Sequence, residues 1–424
     1  MTWAVWGYPS MGGVISLIQR KIPAVYMRGG TSKGLFFRAE DLPQDPETRD
    51  RVLLRAMGSP DPYQRQIDGL GGATSSTSKA VIISRSSRPD CDVDYLFAQV
   101  SVDQPVVDYS GSCGNLASAV GPFAIEEGFV PAVEGSTLVR IWQVNTGVRI
   151  LAHVPVRNGV PDVEGDLYLD GVPTPGAPIR LEFVDPSGGK PVLPTGNVVD
   201  HLSVPGCGSI PVTVVNAGNL AVFVDASTLG LTGTELRDRI DSDRDLLSRL
   251  EDIRTRAAVL AGLGASPDEI SRHRPATPKV AIVGPPQPYI THRGSHVTAE
   301  ECDLTARMLS MGRLHHAFPV TGAIALAVAA KIPGSVVERV TRPLPPGTTA
   351  LRIGHPSGIL LVGAEVTNEN GIWRAKTAVL FRTARRLMEG YVLVPMSVWP
   401  EGGGSDASVG DSPTREGASG SRAV

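Results

Sequence analysis

Short runs of Val, Ile, Leu, Tyr and Phe recur along this chain, separated by turns rich in Gly, Pro, Ser and Asp. Such runs predict strands over 22–28, 35–38, 80–84, 95–102, 138–144 and 149–156 in the first half. In the second half they fall over 212–215, 221–224, 280–283, 351–353 and 359–366. Helical spacing appears in fewer places. One helix is expected over 48–57. Another is expected from just after Cys113 to about Glu127, with Leu116, Val120, Phe123 and Ala124 on one face and Gly128 at its end. A charged helix is expected over roughly 236–263 and an Ala-rich one over 322–331. Each half thus carries strands around one small-residue helix, opened by a Gly/polar segment. The pattern predicts an α+β chain of two similar lobes, 21–188 and 189–400, joined near the Pro/Gly-rich stretch 188–194, with a site in the cleft between them.

Composition sharpens this picture. The 47 Gly and 35 Pro make about a fifth of the 424 residues, below the roughly 25–30% of low-complexity chains. With 42% hydrophobic and 20% charged residues the chain is ordinary for a protein with a large core. Residues 1–20 are read as a loose extension and 401–424 as a disordered Gly/Ser-rich tail, because neither offers much to bury. The net charge of −3 and the absence of any Lys/Arg-rich run argue against nucleic acid as a partner. No stretch approaches the roughly 18 apolar residues of a membrane span. The four cysteines include no CxxC pair, which suits a reducing compartment and makes the cytoplasm the expected location.

Four segments are too dense in small polar residues to be plain core. In Met27–Gly34 (MRGGTSKG), Gly29 and Gly30 allow close backbone approach, while Arg28, Thr31 and Ser32 supply donors for carboxylate or phosphate. In Gln66–Lys79, the loop Gly72, Ala73, Thr74, Ser75, Ser76 runs into Lys79 at a strand start, where partial burial would lower an amine's pKa toward that of a working base. Cys113 stands at the N-cap of the first small-residue helix. Gly114 and Asn115 follow it and leave N–H groups uncovered, a setting that favours a thiolate or a bound anion. The thiol can serve as acid/base or nucleophile, or its segment can act as an anion hole. The fourth segment, Ser310–Ala317, precedes the second small-residue helix; Arg313 or one of His315 and His316 suits a substrate carboxylate. No HxH, HExxH or acidic cluster surrounds these histidines, so no metal site is expected. LPTGN at 193–197 and GHPSG at 354–358 are read as turns.

Taken together and in this order, MRGGTSKG, QIDGLGGATSSTSK, DVDYLFAQV, the GSCGN-to-helix segment, LPTGN, SMGRLHHA and GHPSG resemble the PrpF family over about 22–395. The resemblance implies the diaminopimelate-epimerase-like fold, two lobes each wrapping a central helix, with a cofactor-free site between them. It implies an isomerase of unsaturated tricarboxylates, of the 2-methylaconitate cis–trans type. Aconitate isomerase, methylitaconate isomerase and oxalomesaconate tautomerase are alternatives, as is a non-catalytic accessory protein of an aconitase-type enzyme. It places the acid/base pair on Lys79 and Cys113. Substrate contacts fall on Gly72–Ser76, Lys279, Ser310 and His315, and less directly on the MRGGTSKG turn. The partner implied is a small polycarboxylate; a homodimer is left open. One departure is Ser112, where family members often carry Asn. Amino-acid epimerisation, with one cysteine per lobe, is disfavoured because Ser310–Ala317 has none.

Overall fold

A computed structural model describes residues 19–345, 347–348 and 350–399 of the chain. The expectations for 1–18 and 400–424 lie outside the described residues. Gln19 and Arg20, placed in the loose extension by sequence, open the first strand.

Each lobe is one curved sheet with a buried helix against its inner face. In the first lobe the hairpin Gln19–Gly29 and Ser32–Arg38 is followed by Lys79–Arg85, parallel to the hairpin's second strand. Val93–Val100 then runs antiparallel, Gly135–Gln143 parallel to it, and Val148–Arg157 and Ile179–Val184 each antiparallel to the strand before. The second lobe repeats this order with Gly208–Ala217, Asn219–Asp225, Lys279–Gly284, Leu304–Ser310, Ala350–His355, Gly358–Glu369 and Ile372–Arg382. A further strand flanks each hairpin: Asp200–Val204 in the second lobe and, at the far end of the chain, Ala384–Pro395 in the first. Antiparallel pairing of Ile179–Val184 with Ile372–Arg382 joins the two sheets. Residues 185–199 connect the halves without helix or strand.

The central helices are Gly114–Glu126 and Val320–Ala329. They are buried on every side, which is why neither shows a polar face and why both are built from small residues. A Cβ on Gly121 would lie 2.6 Å from Val154 Cγ2, so the sheet closes against a helix that presents no side chain there. Their N-termini meet: a Cβ on Gly114 would lie 2.5 Å from Val320 Cγ1. On the outer faces amphipathic helices complete the layers. Pro46–Met57 buries Val52, Leu53, Ala56 and Met57 against the first sheet; Arg244–Leu260 buries Leu246, Leu250, Ile253 and Ala257 against the second.

The charged helix expected over 236–263 is two helices, Arg237–Asp241 and Arg244–Leu260. Asp243 turns its carboxylate back to the Leu246 N–H and caps the second, so an N-cap interrupts what composition alone reads as continuous.

Candidate active site

The cleft where the two central helices meet is lined from both lobes, by Ser32, Lys79, Gln99, Ser112, Cys113 and Asn115 on one side and Asn219, Thr277, Lys279, Ser310, His315 and Thr321 on the other. It opens into a wider cleft of about 520 Å³ walled by Ala73, Thr74, Ser75, Ser76, Arg237, Arg313 and the edge of Ser310 and His315.

Lys79 is the first residue of its strand and 7% exposed. Its ammonium donates to Gln99 Oε1 at 2.7 Å and lies 4.8 Å from the centre of the Phe97 ring. Burial pulls its pKa down, and the nearby Cys113 opposes that shift. Gln99 fixes this arrangement: its amide donates to the carbonyls of Ser78 at 2.9 Å and Ser75 at 3.2 Å, which leaves the oxygen for the lysine and ties down the Ser/Thr loop. Lys279 occupies the same place in the second lobe, at the start of the strand parallel to the hairpin. It is 8% exposed and donates to Ala276 O at 3.2 Å and Ser310 Oγ at 3.4 Å. Burial, then the charge of Lys79, lowers its pKa to about 8.

Cys113 caps the first central helix through its sulfur, which accepts the Leu116 N–H at 3.5 Å and lies 3.9 Å from Ser32 Oγ. The second helix begins at Pro319, which offers no side-chain cap. Both helix N-termini therefore face the cleft, the favourable end for an anion. The hydroxyls of Ser112 and Thr277 line the cleft and have no hydrogen-bond partner among the described residues. Buried polar groups are seldom left unpaired, so these two are positioned to take a ligand's oxygens. His315 accepts the Ala317 N–H at Nδ1 (3.1 Å) and stacks on His316; burial holds its pKa well below the ordinary range. The ring is therefore neutral, with its proton on Nε2 as a donor.

Of the residues expected from sequence, Lys79, Cys113, Gly114, Asn115, Ser32, Lys279, Ser310 and His315 come together, with Ala73–Ser76 on the wider cleft wall. Three do not reach either wall. Arg28 turns back on its own lobe, where Nη1 donates to Gly30 O, Thr383 O and Thr383 Oγ1 at 3.0–3.1 Å. Thr31 follows a tight turn at Gly30 (φ +49°) and faces the opposite side. Gly72 abuts Thr77, 2.6 Å from where its Cβ would be, and shapes the loop without lining the cleft. Sequence reasoning missed Gln99, Asn219 and Thr277. Asn219 pins the lobes together, accepting the Ser112 N–H at 2.8 Å and donating to Ser112 O and Thr321 Oγ1 at 2.9 and 3.0 Å. Each is a lone polar residue in or beside an apolar run; only its register opposite a lysine, in the case of Gln99, could have exposed it. LPTGN is a turn held to Asp200 by Thr195 and Asn197. Among the described residues no three His, Cys, Asp or Glu side chains cluster as metal ligands, and no helix is long and apolar enough to cross a membrane.

Two twinned lobes, each a sheet closed around a buried helix, have the α+β fold of the epimerase type. Solved structures of that type match at low identity: a hydroxyproline epimerase from Agrobacterium vitis (TM-score 0.53, 14% identical, 90% of this chain and 98% of the other) shares the fold. The profile of the PrpF protein family matches residues 19–395, and the chain belongs to that family. It is 51% identical over 393 residues to a 2-methyl-aconitate isomerase of Cupriavidus necator, covering 89% of this chain and 98% of the relative. It is 47% identical over 380 residues to a 3-methylitaconate isomerase of Eubacterium barkeri, with 89% and 98% covered. A solved methylitaconate-delta-isomerase superposes with TM-score 0.72 at 44% identity, over 92% of this chain and all of that one. The chain is an isomerase.

Proposed function

We propose that this isomerase moves or rotates the C=C bond of an unsaturated tricarboxylate, with 2-methylaconitate as the first substrate to try, and that Lys79 and Cys113 handle the proton. The observation that carries the proposal is the Lys79 ammonium, buried beside Cys113 at the junction of two helix N-termini. An allylic C–H beside a carboxylate is a weak acid. Removing its proton leaves the electron pair spread over a dienolate, in which the former double bond has single-bond character and rotates. Returning a proton to the same or the conjugated carbon completes the isomerisation.

This chemistry needs a base that is neutral near the working pH, and burial biases Lys79 that way. It needs donors aimed at the developing negative charge, and the N-terminal N–H groups of the first central helix suit that task. Several carboxylates on one substrate match the unpartnered Ser112 and Thr277 hydroxyls, the Ala73–Ser76 loop, Lys279, Ser310 and the His315 Nε2–H. The cysteines, all free, suit a reducing compartment, and we assign the protein to the cytoplasm.

Incubating the purified protein with 2-methylaconitate, aconitate and methylitaconate in D₂O, followed by NMR, tests this reading. Deuterium is expected at the allylic carbon of the isomerised product, and turnover is expected to survive EDTA and dialysis. Product free of deuterium would count against a solvent-exchanging base; loss on chelation with recovery on a divalent ion would end the metal-free mechanism.

A further inference from the structure

A second cavity, of about 420 Å³, lies behind the catalytic cleft and shares no wall residue with it. The turn through Thr31 and the segment Ala317–Phe318 contribute to its walls, as their neighbours Ser32 and Pro319 do on the catalytic side. Its lining is mostly apolar, including Leu360, Leu380 and Phe318. Into this lining the chain places Arg382, 5% exposed. The guanidinium uses Nε on Asn115 Oδ1 at 3.3 Å and Nη1 on the carbonyl of Phe381 at 2.9 Å; Nη2 donates to none of the described residues. Burial pulls its pKa down to about 9, and no acidic group opposes the shift. A buried cation without a counter-ion is costly, so its place in a folded protein calls for an anion.

Two further donors converge on the same space. Thr31 Oγ1 is buried with no hydrogen-bond partner. His355, buried and held neutral, accepts the Ser357 N–H at Nδ1 (3.2 Å), which leaves the Nε2–H as a donor. The one carboxylate in the lining, Asp170, accepts the Ile359 N–H at 2.7 Å and has Arg293 at 3.8 Å, so it is already engaged.

We infer that this cavity binds a small aliphatic monocarboxylate, its head on Arg382, Thr31 and His355 and its chain along the apolar wall. A polycarboxylate does not fit this design, because the space beyond the donors is apolar. Through Arg382 and Asn115 the ligand sits one residue away from the helix start that carries Cys113, and occupancy therefore bears on the catalytic side.

Calorimetric titration of the full chain with butanoate, hexanoate, octanoate and 1-hexanol tests the site. Saturable binding of the carboxylates, tighter with chain length until the cavity fills, is expected, with none for the alcohol. Binding should weaken at least tenfold in Arg382→Gln and in Ala350→Phe, which fills the wall, and should persist in Lys279→Met. Absence of saturable binding, equal binding in every variant, or loss in Lys279→Met with retention in Ala350→Phe would overturn the inference. Hydrogen exchange of the unaltered protein with saturating hexanoate asks the same question without a substitution. Slowed exchange over 350–363 and 379–382 is expected; slowing confined to 111–116 and 276–280 would place the anion in the catalytic cleft instead.

Discussion

The two lobes share a strand order but not a chemistry. Lys79 and Lys279 open equivalent strands, and Cys113 and Pro319 precede equivalent helices. The first lobe thus holds an amine braced by a Gln amide and a thiol at the helix cap. The second holds an amine braced by a Ser hydroxyl and, at the helix cap, a proline with nothing to exchange. A reaction that inverts a stereocentre through opposed, matched groups would draw on both halves alike. Here the scaffold is duplicated, and on the proposed mechanism the proton chemistry is one-sided, as suits a reaction in which a proton leaves and returns around a planar, conjugated intermediate.

The largest expected effect breaks the comparison at the lysines. Lys79→Met should leave the fold intact and lower kcat by about 10²–10⁴-fold, whereas Lys279→Met should act mainly on KM. Steady-state kinetics with circular dichroism as a fold check decides this, and equal kcat losses would make the lobes chemically equivalent. Next comes the thiol. Cys113→Ser keeps a small hydrogen-bonding cap but is a far weaker acid. A loss in kcat beyond about a hundredfold would assign it a proton; a smaller one would assign the segment to anion stabilisation.

A subtler test uses pH. The pKa of Lys279 is near 8 in the folded chain against an ordinary 10.5. Between those values the unfolded chain binds a proton that the folded chain does not, so stability rises with pH across the window and this contribution is absent below it. Lys279→Met should flatten that rise in denaturant titrations run from pH 8 to 10.5. The smallest effect belongs to the contact that pins the lobes together: Asn219→Ala strands the buried N–H and carbonyl of Ser112 and should cost about 1–3 kcal/mol in unfolding free energy.

What could be read from sequence follows from what leaves a local trace. Strands such as Lys79–Arg85 and Lys279–Gly284 are buried on both faces and show as continuous apolar runs. The central helices show as runs of small residues behind Gly/polar caps. Ala384–Pro395 left no trace because its exposed positions carry Arg385, Glu389 and Tyr391, and the sequence ARRLMEGYVLVP lacks clean alternation. In the site, Lys79 and Cys113 were legible because their segments are dense in Gly and Ser. Asn219 was not, since its importance arises only when a residue 107 positions away in sequence is brought beside it. Arg28 misled for the converse reason: a cation in a Gly-rich turn looks like a ligand group, but one of the carbonyls that engage it, Thr383 O, lies 355 residues away.

That last pairing has a consequence for how the chain is made. The opening strand Gln19–Gly29 takes its outer neighbour from Ala384–Pro395. At roughly 5–20 residues per second, a nascent chain spends about 20–70 s with one edge of its first strand unpaired. Completion of the first lobe's sheet therefore waits until residues 384–395 have been made. Any product that stops short of residue 384 presents a long open strand edge to its surroundings, the kind of surface on which chaperones act and aggregates nucleate.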